Sequence, residues 1–148
     1  MENDKWKMAN DKWRMENDKC QMSNDKGGDV SASPRNIQER TFEFGVRVIR
    51  LVDRLPRTTA GIQIGRQFIA SGTSVGANMQ EADGAESKAD FVHKTAVALK
   101  EAKESHYWLR LVDATLLAND DEVKSLIREA MELSRIIAAI KRNAHKPK

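Results

Sequence analysis

The stretch Arg66-Gln67-Phe68-Ile69-Ala70-Ser71-Gly72-Thr73-Ser74-Val75-Gly76-Ala77-Asn78-Met79-Gln80-Glu81-Ala82-Asp83-Gly84-Ala85-Glu86-Ser87-Lys88-Ala89-Asp90-Phe91 decides the fold. Ile64, Phe68, Ser71, Val75, Met79 and Ala82 recur at steps of three and four, which places them on one face of a helix. Gly65, Gly72 and Gly76 project together at the edge of that face. A glycine inside a helix costs about 0.5–1 kcal/mol relative to alanine. Three on one line therefore either mark the close approach of another backbone or leave a weak helix that packing must rescue. Gly84 supplies a C-terminal stop. Ser87 followed by Asp90, with Phe91 opening an apolar run, is a relaxed capping box that starts the next helix. A connection this short makes the two helices antiparallel.

The same periodicity extends in both directions. Upstream, a helix is expected from Pro34, capped by Ser33, to Leu55, where Pro56 stops it. Ile37, Thr41, Phe44, Val48, Leu51 and Leu55 form its core stripe, and Phe42, Val46 and Ile49 form a second apolar patch nearly opposite. Arg40, Arg47 and Arg54 run between the two at seven-residue spacing, with Arg50 and Arg57 toward the second patch and Glu39 and Glu43 close enough to neutralise part of the line. Thr58 or Thr59 caps the second helix, which ends near Ala82. The third runs from Lys88 to about Leu117, with Phe91, Thr95, Ala98, Ala102, Leu109, Val112 and Leu116 toward the core and Val97, Trp108, Leu111 and Thr115 on a second apolar side. Asn119 or Asp120 caps the fourth, which runs to about Asn143 on a core stripe of Val123, Leu126, Ile127, Ala130, Leu133, Ile137 and Ile140. Lys124, Arg128, Arg135 and Arg142 fall on one line of that helix and form the strongest basic stripe in the chain. The expected architecture is all-α: an antiparallel up-down four-helix bundle over 33–148. The second apolar sides imply either a wide core or a subunit interface.

The combined pattern Gln67, Ser71, Ser74, Val75, Asn78, Met79, Glu81, Ala82, Gly84, Ser87 and Phe91, continued by Leu99-Lys100-Glu101-Ala102-Lys103-Glu104-Ser105 and Tyr107-Trp108-Leu109, resembles the four-helix bundle proteins known as intervening-sequence proteins of bacterial 23S ribosomal RNA. The resemblance covers roughly Arg35 to Asn143. One departure is Glu81-Ala82-Asp83-Gly84, where many relatives place glycine directly after the glutamate. The chain is more distantly similar to the accessory variability determinant of diversity-generating retroelements. These resemblances imply a ring-like homo-oligomer, a pentamer, that binds RNA or DNA and pairs with a protein such as a reverse transcriptase.

Composition narrows the remaining classes. Val/Thr/aromatic alternation is absent, and Ala, Leu, Arg, Lys and Glu dominate after Pro34, as in a helical domain. The single Cys20 rules out an internal disulfide framework, so a reducing cytoplasm is expected. No apolar run approaches the roughly 18–20 residues of a membrane span, so no membrane partner is expected. The first 30 residues hold six basic and seven acidic side chains, which leaves the bundle mildly basic within a net charge of +3. That balance permits nucleic-acid binding without requiring it.

Met1–Lys26 is a four-fold repeat of seven residues on the theme Met-x-Asn-Asp-Lys. Its Met and Trp positions alternate steps of five and two, which spreads them around a helix, so no coiled-coil seam exists. Asn-Asp pairs also disfavour a helix interior. The expected reading of 1–32 is a disordered repeat tail and linker, although Trp6 and Trp13 are able to stack on bases.

Chemistry-bearing arrangements are lacking in the sequence. No glycine-rich phosphate loop precedes a helix, and His93, His106 and His145 have no partner at metal-ligand spacing. Ser105 and His106 are neighbours that point about 100° apart, so they are not a nucleophile–base pair. No enzyme, cofactor or metal is expected. Two function classes remain. One is a nucleic-acid-binding accessory protein using Arg40, Arg47, Arg50, Arg54, Lys124, Arg128, Arg135 and Arg142, assembled through Phe42, Val46, Ile49, Val97, Trp108 and Leu111. The other is a protein-interaction scaffold with no nucleic-acid role. Asn78 and Glu81 are either a polar network at one bundle end or ordinary polar residues there.

Overall fold

The computed structural model describes residues 36–115, 117–118 and 120–145, so the repeat tail expected over 1–32 lies outside the described residues. Four helices follow in order: α1 (Ile37–Arg54), α2 (Thr59–Asp83), α3 (Lys88–Ala114) and α4 (Asp121–His145). Each helix packs on its sequence neighbours, α1 closes on α4, and the diagonal pairs do not meet. That is the up-down bundle expected from three short connections.

Local chemistry sets the helix ends. α1 begins at Ile37, not at Pro34, because Asn36 provides the cap: its Oδ1 accepts from the Gln38 N–H at 3.0 Å. Thr58, rather than Thr59, caps α2 by accepting from the Gly61 N–H at 3.1 Å. Ser87 caps α3 as expected, accepting from the Asp90 N–H, but α3 ends at Ala114 instead of Leu117. Asp120 starts α4 by accepting from the Val123 N–H at 3.1 Å. Gly84 does terminate α2, yet with φ −94° it does not use the left-handed conformation that favours glycine. A Cβ there would meet only the Glu81 carbonyl at 3.8 Å. Gly84→Ala is therefore expected to leave stability unchanged or raise it by up to about 1 kcal/mol through a stiffer unfolded chain. A urea titration showing a loss above that size would mean the turn needs glycine for another reason.

The core is the set of stripes read from the sequence. Phe44, Val48 and Leu51 from α1, Phe68 and Val75 from α2, Ala98, Ala102, Leu109 and Val112 from α3, and Leu126, Leu133 and Ile137 from α4 are buried. Leu116 lies outside the described residues. The glycine line is a site of close backbone approach. A Cβ on Gly76 would stand 3.2 Å from the Thr41 carbonyl oxygen, one on Gly72 would stand 2.7 Å from both Val48 methyls, and one on Gly65 would stand 3.3 Å from a Val52 methyl. The glycines thus let α1 lie against α2. Between α2 and α3 the sequence reading missed Ser105. It is buried and donates to Ser71 Oγ at 3.0 Å across the helix pair, which satisfies two hydroxyls in an apolar layer.

Candidate nucleic-acid interface

The two basic lines have different fates. The α1 line faces α4 across the sparsest of the four seams. Arg40 forks onto Glu129 with Nε–Oε1 2.9 Å and Nη2–Oε2 3.0 Å, and reaches Glu132 at 3.3 Å. Arg47 pairs with Glu122 at 2.8 Å and donates to Ser125 Oγ, and Arg54 meets Asp120 at 2.6 Å. The hydrogen bond donated to Glu129 holds the Arg40 guanidinium above its ordinary range, and the bond to Asp120 does the same for Arg54. The Arg54 contact holds the Asp120 carboxyl below the usual carboxylate range. Arg40, Arg47 and Arg54 are therefore part of the bundle's own cross-helix lock. The carboxylates paired with them come from α4 and its cap. Arg50 and Arg57 are exposed and make no ion pair among the described residues.

The α4 line is open. Lys124, Arg128, Arg135 and Arg142 are all exposed, with no carboxylate partner among the described residues. Arg135 makes only a weak contact with the Met131 sulfur at 3.5 Å. Arg135 and Arg142, with Lys103, His106, Met131, Ser134 and Ala138, line a shallow groove of about 390 Å³ on the α3–α4 seam, and no carboxylate is among them. A second groove of about 730 Å³ continues along the same seam, lined by Ser87, Lys88, Ala89, Val92, His93, Ala96, Lys141 and His145. Helical periodicity places Arg110 on the same α3 face as Lys103 and extends the row to Lys124 and Arg128 on α4. From Lys88 to His106 the two grooves together run roughly 27 Å at 1.5 Å per residue.

Lys88, Lys103, Arg110 and the three histidines were not among the expected site residues. Reading each helix separately hides them, because Lys103 and Arg110 become part of a stripe only when α4 is laid beside α3. His106 is half-buried in the furrow. Burial, followed by the nearby Arg110, lowers its pKa from the ordinary value near 6.5. The unfolded chain therefore binds the His106 proton more readily than the folded one, and stability falls as pH drops through and below about 6.5. Asp120 acts in the same direction only below its ordinary value of 3.8. Burial raises Glu101, which opposes the His106 effect as pH falls toward 4.5. The melting temperature is expected to decline between pH 7.5 and 6, and His106→Gln should flatten that decline. An unchanged slope in the variant would remove His106 as its source.

The remaining expected residues separate. Phe42 is 73% exposed and Ile49 43%, with Val46 half-buried beside them, so α1 carries an apolar surface patch. Val97 and Leu111 on α3 are half-buried. Trp108 packs against the core and donates its indole N–H to Glu104 at 3.1 Å, so much of it serves the subunit itself. Asn78 and Glu81 do not form a joint network. The Asn78 amide donates to the Ser74 carbonyl of its own helix at 2.8 Å, and Glu81 reaches across to Lys94 on α3 at 2.6 Å. The polar link between α1 and α2 at that end is instead Gln38, whose amide donates to the Met79 carbonyl at 2.8 Å.

These features define a four-helix bundle with one basic, furrowed side. The chain belongs to the 23S rRNA-intervening sequence protein family, whose pattern matches residues 35–139. A solved crystal structure of a protein of unknown function from the S23 ribosomal protein family of Bacteroides thetaiotaomicron is 34% identical. The similarity covers 72% of this chain and 99% of that one, with a TM-score of 0.68. No curated protein matches the chain. Among the described residues, no helix is long and apolar enough to cross a membrane.

Proposed function

We propose that this protein is a non-catalytic, homo-oligomeric RNA-binding accessory protein that holds the RNA backbone along the α3–α4 furrow. The observation that carries this reading is the acid-free groove containing Lys103, Arg135 and Arg142, on a molecule whose other arginine line is occupied by its own carboxylates. Uncompensated cations along a groove attract phosphates and release their counterions on binding. RNA is preferred over DNA because the family name refers to an rRNA intervening sequence. Self-association is assigned to the α1 patch around Phe42 and Ile49, with five subunits as the number the family resemblance implies. A ring would multiply the furrow by its subunit number and raise avidity.

The test is binding of the full chain to labelled structured RNA and duplex DNA across a salt series, with subunit mass measured on the same sample. RNA affinity that falls steeply with salt is expected. Arg135→Glu with Arg142→Glu should weaken RNA binding at least about tenfold more than Arg57→Glu with Arg66→Glu, a pair of exposed arginines away from the furrow that changes net charge equally. Equal losses would reduce the effect to overall charge, and no binding at low salt would reject the reading. Phe42→Glu with Ile49→Glu should lower the mass of the assembly toward that of a single chain.

A further inference from the structure

Tyr107 stands on the outer face of α3 with 53% of its surface exposed. It lies about two turns before the end of the helix at Ala114. Its position is braced. The ring meets Trp108 edge to face, with centroids 5.2 Å apart and planes at 64°. Trp108 is in turn packed against the core and tied to Glu104 through its indole N–H. The tyrosine is therefore propped on the bundle while one side of its ring remains in solvent. Lys103 lies four residues before it and Arg110 three residues after, so all three share one face of α3. His106, the preceding residue, lines the basic groove with Lys103.

We propose that Tyr107 is a base-stacking residue, and that the furrow takes an unpaired segment of RNA. This rests on the RNA-binding reading above. Cations in a row fix phosphates but cannot distinguish paired from unpaired strands. A braced aromatic beside them can. The bases of a duplex are stacked inside the helix, and only a splayed base offers a free π-face to a protein ring. Tyr107 is one helical turn from Lys103 and from Arg110, so a base turned outward from a backbone held by those cations meets the exposed ring. Stacking of this kind is sequence-tolerant, since every base has a π-face.

The experiment compares the full chain with Tyr107→Leu, Tyr107→Phe and the Arg135→Glu/Arg142→Glu pair. The probes are a labelled unstructured oligoadenylate RNA and an RNA duplex of the same number of phosphates. Tyr107→Leu should weaken binding of the single strand about tenfold, in keeping with the loss of one stacked base. It should leave duplex binding and the salt slope unchanged. Tyr107→Phe, which keeps the ring, should bind like the parent. The arginine pair should weaken both probes and flatten the salt slope. Single-strand binding by Tyr107→Leu equal to the parent's, or a parent that binds only the duplex, would overturn the stacking role and leave RNA binding intact. Failure of the parent to bind either probe would overturn the RNA reading itself, and this inference with it. Circular dichroism of each variant confirms that the exposed substitution leaves the helices in place.

Discussion

Replacing Gly72 with alanine should destabilise the bundle by about 3 kcal/mol, a methyl group's worth of overpacking in a place that cannot yield. The added Cβ would lie 2.7 Å from both methyls of Val48. Val48 is fully buried and β-branched, so it is stiff at χ1 and has no solvent-side rotamer to escape into. The remaining escape is to push α1 away from α2. That would also loosen the contact at Gly76, where the Thr41 carbonyl is as close as a backbone can come to a helix carrying a side chain. The helix-propensity gain of alanine, roughly 1 kcal/mol, acts the other way and is too small to win. The diagnostic is a double-mutant cycle in urea. Val48→Ala alone should cost about 2 kcal/mol through lost burial and a cavity. Combined with Gly72→Ala, it should cost clearly less than the two losses added, because the new methyl fills the space Val48 vacates. Strict additivity would mean that the clash is relieved elsewhere and that the glycine line is not what sets the α1–α2 distance.

That glycine line shows how much of the fold was legible. Three glycines on one helical face left two readings open, close approach or mere weakness. The sequence near them contains no statement of what lies opposite. Helices, stripes and antiparallel order were legible because they depend on residues three and four apart. The ends were less so where several caps compete. Ser33 and Asn36 both have a suitable oxygen ahead of Ile37, and Asn36 provides the cap, so that the helix opens directly on its first buried residue. Ser105 falls outside the core stripe read from the sequence because its partner in the core, the Ser71 hydroxyl, is opposite it only once α2 and α3 pack.

The site was legible in proportion to how local it is. Arg40, Arg47 and Arg54 have the same seven-residue spacing as Arg128, Arg135 and Arg142, and nothing within either helix tells them apart. What separates them is contact across the bundle. The acids that occupy the first line lie on α4 and its cap, at least 66 residues further along the chain, while Arg135 and Arg142 of the second line border a groove without acids. Lys103 and Arg110 become site residues by the same route, since α3 supplies the other wall. Helical spacing alone marks the cations, and packing across the bundle decides which of them are available.

The pairing that occupies Arg40 with Glu129 and Glu132 should also be the electrostatic contact that costs most to break. Arg40→Ala is expected to cost about 2–3 kcal/mol, less than for a fully dry pair because its side chain and that of Glu129 each keep 20% exposure. The loss is large for an ion pair near a surface because the fork is bidentate and because Glu129 and Glu132 are then left without the guanidinium that both contact. The α1–α4 seam is also the sparsest of the four, so little else compensates there. Replacing both members, Arg40→Met with Glu129→Leu, should recover most of the stability, since the desolvation cost of the pair vanishes with its attraction. If the furrow binds RNA as proposed, the same double variant should bind it like the parent, because the cation removed is not one of those lining the furrow. Urea midpoints together with RNA titrations on the two variants provide the check. A single variant losing under about 0.5 kcal/mol would place Arg40 with ordinary exposed pairs. Loss of RNA binding in the stable double variant would return the α1 arginines to the interface.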